Sequence, residues 1–274
     1  MSAIRTPCAA TAAVLVLHGG SADSTEPVGP FSLAALRLLP VARAIARADR
    51  NAAVYRLRNA VKGWNGDGAT VLADARAAVD AIAATHPDLP VVLVGHSLGG
   101  RVAVHLARSA GPAAAGPVVG VVGLAPWLEP GDPVEGLTRV PLAVVQGTND
   151  RMIPTRSTEP WLDRAARAGV RLRRFVVDGG EHTMLRHYRR WHRTASTAFA
   201  GCWRPPPRRP PSCRAGPARP APAADLGAPP RSTRPAPAPP GLPPPPARAR
   251  RPPSRRPAPA RPLFLAPTCQ ETHR

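Results

Sequence analysis

Gly95-His96-Ser97-Leu98-Gly99 fits G-x-S-x-G, the spacing that lifts a serine hydroxyl out of a tight strand-to-helix turn as a nucleophile. The turn forces the serine backbone into a strained conformation, and side chains two residues to either side would crowd it. Glycine is therefore required at both ends, and Gly100 permits still closer packing. A serine hydroxyl needs a base to take its proton. His182, in Gly179-Gly180-Glu181-His182, is the best placed, because it follows an aliphatic run on a loop. His105, His187 and His192 fall within expected helices, His86 follows a helix on the opposite edge, and the side chain of His96 points away from the serine. The imidazole in turn needs a carboxylate to fix its tautomer. Asp150, in Gly147-Thr148-Asn149-Asp150, is the first choice, with Asp178 and Asp132 as rivals. The oxyanion formed in acyl transfer needs preorganised donors. The amide of Leu98 supplies one. The loop His18-Gly19-Gly20-Ser21 supplies the second, from Gly20 or else from Gly19 or Ser21.

These residues must be held by a scaffold, and the chain between them alternates short aliphatic runs with longer amphipathic stretches. Strands are expected at Val14–Leu17, Ala53–Leu57, Val91–Val94, Val118–Leu124, Leu142–Gln146 and Leu172–Val177. Val91-Val92-Leu93-Val94 reads as a central strand buried on both faces. Helices are expected at Leu33–Arg47, interrupted or delayed by Pro40, and at Val71–Ala84, Gly99–Ser109, Thr158–Ala168 and Thr183–Ala200. The alternation implies an α/β fold, a doubly wound, mostly parallel sheet of about six strands. Sites in such sheets lie beyond the carboxyl ends of the strands, where all the candidates fall.

With GHSLGG around Ser97, GTNDRMIP around Asp150, GGEHTML around His182 and the HGG loop in this order, residues 12–200 resemble the α/β-hydrolase family. The likeness is in particular to its small esterase, thioesterase and dienelactone-hydrolase-like members. The resemblance implies a serine hydrolase acting on a small acyl substrate, without a cofactor or metal. It departs from fuller members in lacking their amino-terminal pair of strands. Family lids insert after the strand that here is Val118–Leu124, but only Ala125–Val140 follows it, too short for a helical cap. The site should therefore be open. Trp127 is the main candidate to line it, or else a structural tryptophan, and Met152 and Ile153 beside Asp150 are candidates for apolar contact, or else are simply buried.

Composition divides the chain into a domain at residues 1–202 and a Pro/Arg/Ala-rich tail at 203–274. Of the 38 prolines, 24 follow residue 200, as do 14 of the 37 basic and two of the 17 acidic residues, so about +12 of the formal +20 sits there. So few apolar groups cannot offset ordering entropy, and the tail should be disordered. That discounts the basic charge as a sign of a specific nucleic-acid partner. The four cysteines show no metal-ligand or disulfide pattern. The apolar run Ala12–Leu17 is too short to span a membrane and lacks the flanks of a signal peptide, so a cytoplasmic protein is expected. The oligomeric state is not legible. The sequence also admits two other readings: a non-catalytic scaffold used for binding, and a tail that acts as the functional module or is a shifted reading frame.

Overall fold

The structure, a computed structural model, describes residues 1–108 and 117–203. Strands and helices alternate as β1 (Ser2–Arg5), β2 (Ala12–Leu17), α1 (Leu33–Leu36), α2 (Leu38–Ala48), β3 (Ala52–Arg56), α3 (Ala69–Thr85), β4 (Val91–His96), α4 (Leu98–Arg108), β5 (Val118–Leu124), β6 (Leu142–Gly147), α5 (Thr155–Arg167), β7 (Leu172–Val177) and α6 (Tyr188–Cys202). They build one seven-stranded sheet in the order β1-β3-β2-β4-β5-β6-β7. All pairings are parallel except β1 with β3.

Every residue of β2, β4 and β6 is buried, because helices cover both faces. The period of two along each strand sends alternate side chains into two cores. Leu15, Leu17, Leu93 and Val144 pack against α3, α4 and α5 through Val71, Val102 and Trp161. Val14, Val16, Val94 and Val145 pack against α2 and α6 through Val41, Ile45, Trp191 and Phe199. Only Val177 of the edge strand β7 is buried, and its Arg173 and Arg174 are exposed. Charge on an edge discourages further strand pairing.

Beyond small shifts of element ends, three elements differ from the sequence reading. The strand β1 adds a seventh member at the sheet edge; it is four residues long and half-exposed, so it carries no aliphatic run to announce it. The break expected at Pro40 falls at Arg37, and Pro40 lies in the first turn of α2, where its missing N–H has no intrahelical partner to lose. The last helix begins at Tyr188 rather than Thr183, since Met184 and His187 have positive φ of 58° and 54° and form turns. The disordered tail expected from composition lies outside the described residues.

Candidate active site

Because β2, β4, β6 and β7 are parallel, their carboxyl ends share one edge of the sheet. Each hands one candidate to that edge. Ser97 stands between β4 and α4 with φ of +52°, the left-handed region that serine seldom adopts, and is buried to 7% exposure. The turn is as crowded as its glycines suggest. A β-carbon at Gly95 would run into the Gly99 carbonyl, one at Gly99 would lie 2.6 Å from the His18 carbonyl oxygen, and one at Gly100 would lie 2.6 Å from Pro126 Cβ. The turn is pinned at both its amide and its carbonyl: Ser97 N–H donates to the Leu124 carbonyl at 3.0 Å, and Trp127 N–H donates to the Ser97 carbonyl at 3.1 Å.

His182 and Asp150 meet although 32 residues separate them. The His182 Nδ1–H donates to Asp150 Oδ2 at 2.8 Å, with both side chains buried. The other oxygen of Asp150 accepts the amides of Met152 at 2.9 Å and Ile153 at 2.8 Å. The two loops are pressed together: Asn149 N–H donates to the Gly180 carbonyl at 2.9 Å, and a β-carbon at Gly147 would collide with that carbonyl. Of the three carboxylates weighed from sequence, Asp150 is the one against His182. Asp178 accepts from the Thr148 hydroxyl at 3.4 Å on the surface. Asp132 is taken up by a different network.

That network fixes the loop after β5. Asp132 Oδ1 accepts Arg101 Nε at 3.1 Å and Nη2 at 2.6 Å and lies 3.2 Å from His105 Nε2; its Oδ2 accepts the Glu129 amide at 2.9 Å. The Arg101 guanidinium lies between the rings of Trp64 and Trp127, 4.4 and 4.5 Å from their centroids. Burial alone would raise the Asp132 pKa, but hydrogen bonds from His105 and Arg101 outweigh it and hold the carboxyl below its ordinary range. Trp127 therefore stacks on Arg101 and donates its indole N–H to Glu129. Met152 is 68% exposed and lines a groove of about 470 Å³ with His182, Arg151, Glu181 and Arg186.

Gly20 and Leu98 are in contact: a β-carbon on Gly20 would lie 2.5 Å from Leu98 Cδ2 and would run into the Lys62 carbonyl. The loop carrying Gly20 is held by His18, whose Nδ1–H donates to the Gly19 carbonyl at 2.6 Å while its Nε2 accepts the Asn59 amide at 3.1 Å. Burial, foremost, lowers the pKa of His18, and the same two bonds fix its neutral tautomer. The sequence offered no role for the His18 side chain, whose place in HGG signalled only backbone, and it weighed His96 only as a base, setting it aside because its side chain points away from Ser97. Among the described residues, no cluster of three or more His, Cys, Asp or Glu is arranged to hold a metal ion, and no helix is long and apolar enough to cross a membrane.

A family model described as serine aminopeptidase, S33, matches residues 60–139, a span that contains the elbow and ends before Asp150 and His182. Solved structures match over more of the chain. An α/β serine hydrolase homologue from Coxiella burnetii is 15% identical with a TM-score of 0.53, covering 69% of this chain and 86% of its own. An esterase from Pyrobaculum calidifontis is 16% identical with a TM-score of 0.56, covering 71% and 77%. The fold is that of the α/β hydrolases. A further α/β hydrolase from Xanthomonas campestris, described as lacking a lid, is 16% identical with a TM-score of 0.52, covering 73% and 86%. No curated protein matches the chain. Within the α/β-hydrolase fold, the segment between β5 and β6 is the loop closed here by Arg101 and Asp132.

Proposed function

We propose that this α/β-hydrolase domain, residues 1–202, is a serine hydrolase that cleaves small carboxylic esters or thioesters through an acyl-enzyme. The observation that carries the reading is the 2.8 Å bond from His182 Nδ1–H to Asp150. With the proton on Nδ1, the Nε2 lone pair is free to act as base. In this mechanism Ser97 Oγ attacks the substrate carbonyl and gives its proton to His182 Nε2. The oxyanion accepts the amides of Leu98 and Gly20. The tetrahedral intermediate collapses as the leaving alkoxide or thiolate takes the proton from His182. Water then repeats the sequence on the acyl-enzyme and releases the acid. Asp150 stabilises the transient imidazolium and remains ionised. Trp127 and Met152 are the proposed substrate contacts, Met152 from the groove beside His182.

The test is reaction of the full chain with a fluorophosphonate probe and with p-nitrophenyl acetate. Wild type labels at Ser97 and turns over; Ser97→Ala loses labelling and on the order of 10⁴-fold or more in kcat. A folded Ser97→Ala protein that keeps wild-type turnover, or a wild type that neither labels nor hydrolyses, overturns the reading.

A further inference from the structure

His96, the residue before the nucleophile, is 2% exposed, and its side chain reaches the loop of the base. Its Nε2–H donates to the main-chain carbonyl of His182 at 2.8 Å, across 86 positions of sequence. The two imidazole rings lie 4.8 Å apart, centre to centre, tilted by 45°. The other edge of the His96 ring faces the turn after β2, where a β-carbon on Gly19 would come within 2.9 Å of Nδ1. One side chain thus touches the nucleophile elbow, the oxyanion-side loop and the loop of the base. Its own backbone is anchored, since it is the last residue of β4, pairs with Leu124 of β5 and precedes the pinned amide of Ser97.

We propose that His96 is a positioning residue for the catalytic base: it ties the main chain of His182 to the nucleophile elbow and so sets where the His182 ring stands relative to Ser97. The proposal rests on the serine-hydrolase reading. Asp150 fixes the direction of the His182 ring through Nδ1, but its hydrogen bonds run to His182 and to its own turn after β6. The carbonyl bond from His96 supplies the link to β4. A carbonyl only accepts, so the bond fixes the His96 proton on Nε2. Burial, and next the neighbouring His182, keep the ring uncharged, lowering its pKa to about 3. Neutrality suits the role, because a second cation 4.8 Å away would oppose the imidazolium that His182 becomes during turnover.

The tether needs an N–H donor on a side chain of this reach, which distinguishes it from simple core packing. His96→Gln keeps a donor, whereas His96→Met fills similar space without one. On p-nitrophenyl acetate with the full chain, His96→Met is expected to lose about 10- to 100-fold in kcat, the scale of an ångström-sized misplacement. Its KM should move by less than about twofold, since binding is untouched. His96→Gln should recover most of the lost kcat at a melting temperature matched to that of the Met variant. Labelling rates with a fluorophosphonate should follow the same order. A folded His96→Met protein with wild-type kcat overturns the proposal, as do Met and Gln variants that are equally slow. A wild type without any turnover would instead remove the serine-hydrolase reading on which the proposal rests.

Discussion

Asp150 divides its two carboxylate oxygens between two tasks. One oxygen takes the His182 N–H and the other takes two backbone amides of its own turn, so the acid is held before the histidine is engaged. An amide in its place loses this arrangement, because its NH₂ group confronts either the His182 N–H or the Met152 and Ile153 amides with another donor. The His182 ring would then favour the tautomer with the proton on Nε2, where it cannot act as base. Asp150→Asn is therefore expected to lower kcat on an activated ester by about 10⁴-fold while the protein remains folded. Kinetics at neutral pH check this; a loss smaller than tenfold would transfer the role to another carboxylate. At the same scale, Trp127 meets two demands that pull apart. Its backbone holds the Ser97 carbonyl while its ring is committed to Arg101, so its share in substrate contact is restricted to whatever edge the stack leaves open.

Among the elements, the loop from Ala125 to Pro141 has its order tied to charge. Asp132 gathers Arg101, His105 and the Glu129 amide through its side chain, and its carbonyl accepts the indole N–H of Trp161 at 3.0 Å. This ties the loop to α4 and α5 together. The Asp132 side chain is only 5% exposed, so removing its charge leaves Arg101 between two indoles with no counter-charge. Asp132→Asn should cost about 3 kcal/mol of stability, the scale of breaking a buried pair from one side. The pH dependence has a definite sign. A carboxyl held below its ordinary value of 3.8 contributes its stabilisation above that value and loses it as the pH falls below it. Urea midpoints at pH 7 and pH 3 check both statements: the difference between wild type and Asp132→Asn should be large at pH 7 and shrink at pH 3.

The whole molecule responds to acid before its carboxylates do, because two imidazoles are buried in neutral form. His96 is lowered to about 3 by burial and by the His182 charge, against the opposing hydrogen bond to the His182 carbonyl, with Arg37 adding and Asp150 opposing more weakly; His18 is lowered chiefly by burial. Unfolding frees both to bind protons near the ordinary value of 6.5. Between there and the folded values the unfolded chain holds more protons, so stability is full above about pH 6.5 and falls as the pH drops, by at most about 1.4 kcal/mol per pH unit for each ring. Denaturant titrations at pH 8, 6.5 and 5 should show that decline beginning above the carboxylate range. His96→Gln should make the slope shallower by about one proton. A stability curve that is flat from pH 7 to 5 contradicts the neutral burial of these rings.

The sequence by itself determined the strand run Val91–Val94 and the elbow that follows it, since a continuous β-branched segment ending in glycine-flanked serine admits few other local structures. It also determined which edge of the sheet carries the chemistry, because parallel strands deliver all their carboxyl ends together. The sequence ranked Asp150 first among Asp150, Asp178 and Asp132 but left the other two as rivals. All three follow strands, and only the approach of Gly147 to Gly180 across β6 and β7 brings one of them to His182. The strand β1 was invisible because a short, half-exposed edge segment needs only backbone pairing with β3 and leaves no hydrophobic trace. The same holds for His96: its partner is a main-chain carbonyl 86 residues away, and any residue supplies a carbonyl, so no residue pattern encodes the contact. Side-chain types and local spacing are written along the chain; which loops meet at the sheet edge is decided by packing of the two cores beneath them.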